Sequence, residues 1–209
     1  MDVKLRGLIA EFVERMQGRK FTFVGAVAVQ AYGIFKMTLD MDLITYDSAD
    51  FESACLSLVG MDFKEPKPLG GFAPGFAKWG WQHGRIGADV MFKRLWFRAK
   101  VRGKLIEQKI TPDEEFWRDI KFRGAEVFGV DIPVPKPVDL AVFKAASSAS
   151  PCRSPLKAPH DREHVIKLMQ RFKISREDLR KRARAMGCLK LVERFLASHE
   201  ISGSTSSST

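Results

Sequence analysis

Asp40 and Asp42 stand one residue apart within Leu39-Asp40-Met41-Asp42-Leu43-Ile44. On an extended strand side chains alternate, so Leu39, Met41 and Leu43 point one way and the two carboxylates the other. Like charges on one strand face repel each other. A hard divalent cation such as Mg2+ relieves that repulsion, because carboxylate oxygens at this spacing are the donors it takes. A solvent-facing strand with two harmless acids is the plainer reading of the pair taken alone. The residues upstream favour the first reading. Phe21-Thr22-Phe23-Val24 reads as a short buried strand, Gly25-Ala26 as a turn, and Val27-Ala28-Val29-Gln30-Ala31-Tyr32 as a helix ending at Gly33. A glycine at a strand-to-helix turn lets a ligand approach the backbone, and the helix start offers N–H groups to phosphate. A phosphate cradle leading into a carboxylate pair is what a nucleoside triphosphate with its metal requires.

The order Val24-Gly25-Ala26, thirteen residues, then Asp40-Met41-Asp42 resembles the signature of the nucleotidyltransferase superfamily that includes polymerase β. That signature is a hydrophobic residue, Gly, then Gly or Ser, a spacer, and a hydrophobic-flanked Asp-x-Asp. The run Gly33-Ile34-Phe35-Lys36-Met37-Thr38-Leu39-Asp40-Met41-Asp42 is similar to that of small stand-alone members, the AbiEii-type toxins and the aminoglycoside nucleotidyltransferases. Two departures stand out. Ala26 replaces the usual glycine or small polar residue and leaves only backbone N–H groups for phosphate. Lys36 replaces the common arginine and gives a point charge in place of a bidentate fork.

The composition of the 209 residues fits one medium domain or a domain with a helical appendix. A hydrophobic content of 45% with 16 Phe supplies a core and excludes a disordered chain. No apolar run approaches the roughly 18 residues of a membrane span, and the charged N-terminus lacks a signal-peptide core. Cys55, Cys152 and Cys188 are widely spaced, which reads as reduced thiols in a cytoplasmic setting, without a zinc ribbon. The formal charge of +10 attracts nucleic acid, nucleotides or acidic partners without naming which. The late cluster Arg176, Arg180, Lys181, Arg182 and Arg184 reads as a solvated helix face, with an RNA-contacting patch as the alternative.

Several elements must position the acidic pair. Apolar residues at helical spacing predict an opening helix over 2–17, then strand 21–24, helix 26–32 and strand 39–44. Asp47 or Ser48 caps a helix to Val59 with Phe51, Ala54, Cys55 and Leu58 as its buried stripe, and a short strand at Met61–Lys64 follows. Residues 66–75 read as loop. Phe76–Trp81 and Arg85–Phe92 flank Gln82-His83-Gly84 and predict an antiparallel pair. On its second strand Asp89 lies among apolar neighbours, a costly placement unless it is paired or metal-bound. Thr111-Pro112-Asp113-Glu114 starts another helix, 122–134 holds one or two strands, and Pro135-Lys136-Pro137 marks a boundary. Helices then follow at Val138–Ala146, His160–Phe172, Ser175–Met186 and Leu189–Ser198, before a low-complexity Ser/Thr tail.

The resemblance extends into this half. Ile132-Pro133-Val134-Pro135-Lys136-Pro137-Val138-Asp139-Leu140-Ala141-Val142-Phe143-Lys144 matches a family run in which the helix lysine faces the triphosphate. It implies that role for Lys144, with Arg153 and Lys157 of the linker next in line. It also implies Asp89 as the third carboxylate, with Asp62 and Asp47 as competitors. His160 and His164 are four apart, as in zinc helices, but Asp161 stands where a zinc protease has Glu. Phe72, Phe76, Trp79 and Trp81 read as core, with nucleobase stacking as the alternative.

Together these readings predict an α/β (α+β) fold. A nucleotidyltransferase core, 1–134, holds a mixed β-sheet flanked by helices; a C-terminal helical region, 135–201, and a disordered tail, 202–209, follow. The resemblance implies transfer of a nucleoside monophosphate from an NTP to an acceptor hydroxyl. Asp40, Asp42 and Asp89 would hold two Mg2+ and catalyse; Gly25, Ala26, Lys36, Thr38 and Lys144 would bind the nucleotide. The implied acceptor is tRNA or another RNA, a protein, or a small molecule, and a toxin-like role would bring a cognate antitoxin. No membrane association is expected. The reading from another class is a catalytically silent RNA- or partner-binding module that keeps the fold.

Overall fold

The structure is a computed structural model that describes residues 2–35, 37–64, 76–101 and 103–200. Lys36, the loop expected at 66–75 with Phe72, and the Ser/Thr tail lie outside the described residues. The chain groups into two compact units, Met1–Leu95 with Glu114–Lys136, and Trp96–Asp113 with Pro137–Thr209.

The first unit begins with α1 (Val3–Arg15), β1 (Phe21–Val24), α2 (Gly25–Ala31), β2 (Asp40–Thr45) and α3 (Ser48–Val59). Next come β3 (Phe63–Lys64), β4 (Phe76–Trp81) and β5 (Gly87–Phe92). The hairpin of β6 (Leu95–Val101) and β7 (Lys104–Ile110) follows, falling largely in the second unit. The chain then re-enters the first unit for α4 (Glu114–Arg118), β8 (Lys121–Arg123), α5 (Ala125–Phe128) and β9 (Ile132–Val134). The second unit is completed by α6 (Pro137–Ala149), α7 (Ala158–Phe172), α8 (Arg176–Ala185) and α9 (Leu189–Glu200).

Five strands of the first unit form a mixed sheet in the order β1-β2-β5-β4-β3. Only β2 and β5 run parallel; the other neighbours are antiparallel. On one side of the sheet Met41, Leu43, Ala88, Val90, Ala77 and Trp79 are buried, so these alternating positions form the core face. Phe12 of α1 joins Phe21 and Phe23 of β1 in edge-to-face contacts with centroids 5.6–6.1 Å apart. Asp2 caps α1 and Asp47 caps α3, each accepting from a first-turn backbone N–H at 2.8 Å. The buried stripe of α3 is Asp50, Ala54, Ser57 and Leu58, turned from the one expected: Phe51 and Cys55 are half-buried. Asp50 accepts a backbone hydrogen bond at Lys20 in its buried site, and burial raises its carboxyl above the usual range.

In the second unit α6 packs against α7, α8 and α9, and nearly all of it is buried, including Asp139 and Lys144. Those charges are matched in place. Lys144 Nζ lies 2.9 Å from Asp161 Oδ1, Arg153 lies 2.6 Å from Asp161 Oδ2, and the Ser147 hydroxyl donates to the same oxygen. Arg182 joins Asp139 and forks onto both oxygens of Asp113 at 2.7 Å. Arg182 therefore departs from the solvated basic face expected for this helix; it is 8% exposed and structural.

Burial alone would raise the carboxyl of Asp161, but Lys144 and Arg153 outweigh it and hold it below the usual carboxylate range. A depressed carboxylate stabilises the fold above its unfolded value of about 3.9, and the gain is lost as pH falls through the lower folded value. Asp161→Asn is expected to lower stability at pH 7 by about 3 kcal/mol, the scale of breaking a buried pair from one side. Urea unfolding should show that difference shrinking as pH falls below about 4.

Candidate active site

The sheet face opposite the core carries the acids. Register pairs Asp42 with Asp89 across the parallel β2–β5 ladder, and Lys78 of β4 with Asp89 across the antiparallel one. Residues paired in register share a face, so Asp42, Asp89 and Lys78 form one row. The next row is Asp40, Gly87 and Gly80, and the row on the other side is Ile44, Met91 and Phe76. Asp42 and Asp89 are half-buried and Asp40 is exposed. Lys78 Nζ stands 3.5 Å from Asp89 Oδ1.

Two glycines make room for the pair that begins the motif. Gly25, at φ +67, opens α2 where a side chain would collide with Asp42: an added Cβ would meet Oδ2 at 1.9 Å. Gly87 does the same for Asp40, whose Oδ1 would lie 2.8 Å from an added Cβ. Gly25, expected from its place at the strand-to-helix turn to admit a ligand, also seats the Asp42 carboxylate at the start of a helix. Val24 provides no side-chain cap there, and a helix start is electrostatically favourable for a carboxylate.

The remaining expected residues fall as follows. Ala26 is half-buried in the first turn of α2 and offers no hydroxyl. Thr38 braces the entry to β2: its Oγ accepts from Asp40 N at 3.2 Å and donates to Asp40 O at 3.3 Å. Its hydroxyl is thus engaged with backbone beside the site. Lys144 is buried in the second unit in the ion pair with Asp161. The competing acids are engaged elsewhere, Asp62 with His83 at 3.3 Å and Asp47 as the cap of α3. His160 is exposed and His164 is buried on α7. Burial pushes the Cys55 thiol up to about 11 and the Cys188 thiol up to about 12, which disfavours a thiolate nucleophile at neutral pH.

Backbone register brings Asp40, Asp42 and Asp89 onto one face, but the rotamers do not close them into a cage. Among the described residues no three His, Cys, Asp or Glu side chains form a group that could hold a metal ion. Asp89 leans on Lys78, and Asp42 sits against Gly25. The donor chemistry still fits a hard divalent cation, since carboxylates on adjacent strands about 4.8 Å apart need only side-chain rotation to share one.

Lys78, Gly80 and Gly87 were not singled out by sequence reasoning. The signal lay in the predicted hairpin: Trp81 N donates to Ile86 O at 2.9 Å, and counting outward from that closure pairs 80 with 87 and 78 with 89.

Gly87→Ala should leave thermal stability within about 1 kcal/mol, because the atom it displaces is the far end of a side chain, yet move Asp40 and so weaken any divalent-cation binding at this face. Gly25→Ala should reduce both, because φ +67 strains any side chain and Asp42 must also move. Paired melting curves and calorimetry check the split.

No protein-family model matches the sequence, and no curated protein does. Solved structures do. The solution structure of the antibiotic-resistance factor ANT(2'')-Ia is similar with a TM-score of 0.55 at 13% identity, covering 96% of each chain. The same factor in complex with adenylyl-2''-tobramycin gives 0.54 at 11% identity, over 94% of this chain and 99% of that one. The lincomycin-bound lincosamide antibiotic adenylyltransferase LnuA gives 0.52 at 12% identity, over 80% of this chain and 98% of that one. The chain has the nucleotidyltransferase fold that its sequence resemblance implied.

Proposed function

We propose that this chain is an NTP-dependent nucleotidyltransferase that moves a nucleoside monophosphate to an acceptor hydroxyl. The observation that carries the reading is the row in which Asp42, seated against the Gly25 turn, lies beside Asp89 on the neighbouring parallel strand. Asp40 adds a third carboxylate one row away. The fold shared with adenylyltransferases supports the same chemistry.

Asp40, Asp42 and Asp89 would hold Mg2+, two ions in all. Ions held by these carboxylates would supply charge neutralisation for the phosphates and for the attacking and leaving oxygens. The chain's own residues do the positioning. Gly25 and Ala26 present the backbone to the phosphates, with Lys36 as a basic contact. Thr38 fixes the backbone from which Asp40 projects. Asp89 orients the acceptor and takes its proton as the hydroxyl oxygen bonds to the α-phosphorus. The bond from that phosphorus to the bridging oxygen breaks, and pyrophosphate leaves. For Lys144, the pair with Asp161 favours a structural role, and a triphosphate contact would require that pair to open. ATP as the donor and a toxin-like role with an antitoxin rest on the resemblance to the small stand-alone members.

The silent-module reading draws on Ala26 and on the open rotamers of the three acids. Two variants separate the readings. Asp40→Asn with Asp42→Asn should remove the Mg2+-dependent part of NTP affinity in calorimetry. Asp89→Asn should keep the fold and most of the NTP affinity while lowering transfer of label from α-labelled NTP by about 10²-fold or more, the scale of general-base removal. NTP binding by the double variant equal to that of the parent with Mg2+ present would sink the assignment. Binding without any transfer by the parent would establish the silent module.

A further inference from the structure

Resting on the transferase reading, we propose that Lys78 is a positioning residue for the metal site, an internal counter-ion that holds Asp89 until a divalent cation displaces it. Asp89 is the middle member of its row, with Asp42 beside it on β2 and Lys78 beside it on β4. One neighbour repels its carboxylate and the other attracts it, and the contacts follow that difference. Lys78 Nζ lies 3.5 Å from Asp89 Oδ1, on the β4 side. The Asp42 carboxylate turns the other way, to the Gly25 turn that follows β1, where its Oδ2 lies 1.9 Å from the place of an added Cβ. The two acids that share a row thus take these contacts on opposite sides of it. Their carboxylates are parted, and among the described residues no acidic group is closed around a metal position.

The strength of the lysine contact decides what it can do. A permanent ion pair of this chain looks different: Lys144 meets Asp161 at 2.9 Å, with side chains only 8% and 2% exposed. The Lys78 side chain is 59% exposed and that of Asp89 26%. Their separation also exceeds the roughly 2.7–2.9 Å of a charge-assisted hydrogen bond. An exposed ammonium on a flexible stem returns to water at small cost, so the pair is displaceable. In the empty site Lys78 offsets the repulsion between Asp42 and Asp89. A divalent cation that recruits Asp89 supplies the same offset with twice the charge, and it repels the ammonium. Cation and lysine therefore weaken each other's hold on one carboxylate, and the linkage works in both directions. Removing the lysine charge should strengthen cation binding, the opposite of what the loss of an ordinary binding residue does.

The test titrates the full chain with Mn2+, which takes the same hard oxygen donors as Mg2+, by calorimetry without NTP. Melting curves with and without the ion run in parallel. Lys78→Met removes the charge and keeps the length of the side chain. It should bind Mn2+ about threefold to fivefold more tightly than the parent, the scale of an exposed ion pair. Its melting temperature should also rise more on addition of the ion. Lys78→Arg should return both readings to those of the parent. In an Asp89→Asn background Lys78→Met should leave Mn2+ affinity unchanged, because the carboxylate for which the two cations compete is gone. A general effect of surface charge would persist in that background. Equal Mn2+ affinity in the parent and Lys78→Met, or the same gain with and without Asp89, would overturn the proposal. So would a failure of both chains to bind Mn2+. The transferase reading is judged separately, by the Asp40 and Asp42 variants with NTP present.

Discussion

The parallel pairing of β2 with β5 is the constraint from which the site follows. It places Asp42 directly beside Asp89, two carboxylates about one strand spacing apart on the same face. Had the ladder slipped by one residue, Asp42 would face Ala88 or Val90, and the acids would lie on opposite sides of the sheet. The slip is prevented from the far side, where Met41, Leu43, Ala88 and Val90 are buried in the core. Hydrophobic burial on one face thus holds an electrostatically unfavourable row on the other. The two glycines serve the same end, because Gly25 and Gly87 leave the volume into which Asp42 and Asp40 turn.

Most of this was legible in the sequence because its signals are local. The alternation Leu39-Asp40-Met41-Asp42-Leu43 gave the strand and its two faces, and the glycine after Phe21–Val24 gave the turn. Both match the elements of the first unit closely. The parallel partner was not readable from periodicity, since Asp89 became a candidate by its position in a hairpin and by resemblance. Its register with Asp42 is a non-local fact of strand pairing. Lys78 was missed for a related reason: a lysine in an amphipathic strand looks solvated until its cross-strand neighbour is known. The β6–β7 hairpin carried no expectation, and 122–134 resolves into β8, the short α5 and β9, with Gly124 and Gly129 in left-handed conformations around the helical turn.

Arg182 and Lys144 show where charge counting misleads. Arg182 was grouped with solvated cations by helix position, yet Asp113 and Asp139 take it into the interior. The two acids come from distant parts of the sequence, so no window around Arg182 reveals them. Lys144 was given a ligand by resemblance, while its own unit supplies a carboxylate at 2.9 Å. In both cases the partner is tertiary, and a buried charge is accommodated only when such a partner is found.

The two units treat acidic residues in opposite ways. In the second unit, Asp139 and Asp161 are almost wholly buried and are met by Arg182, Lys144 and Arg153 at hydrogen-bonding range. Neutralisation there is internal and serves stability. In the first unit, three carboxylates and Lys78 occupy neighbouring rows of a partly exposed sheet face, in a chain whose formal charge is +10. A basic protein has ample lysine and arginine to close such a face, as its other unit does. Leaving an excess of carboxylate half-exposed beside two glycines costs stability through like-charge repulsion. On the function proposed for this face, a small divalent cation, which suits crowded oxygen donors, would offset that repulsion. Lys78, 3.5 Å from Asp89 across the β4–β5 ladder, bounds the acidic row on that side.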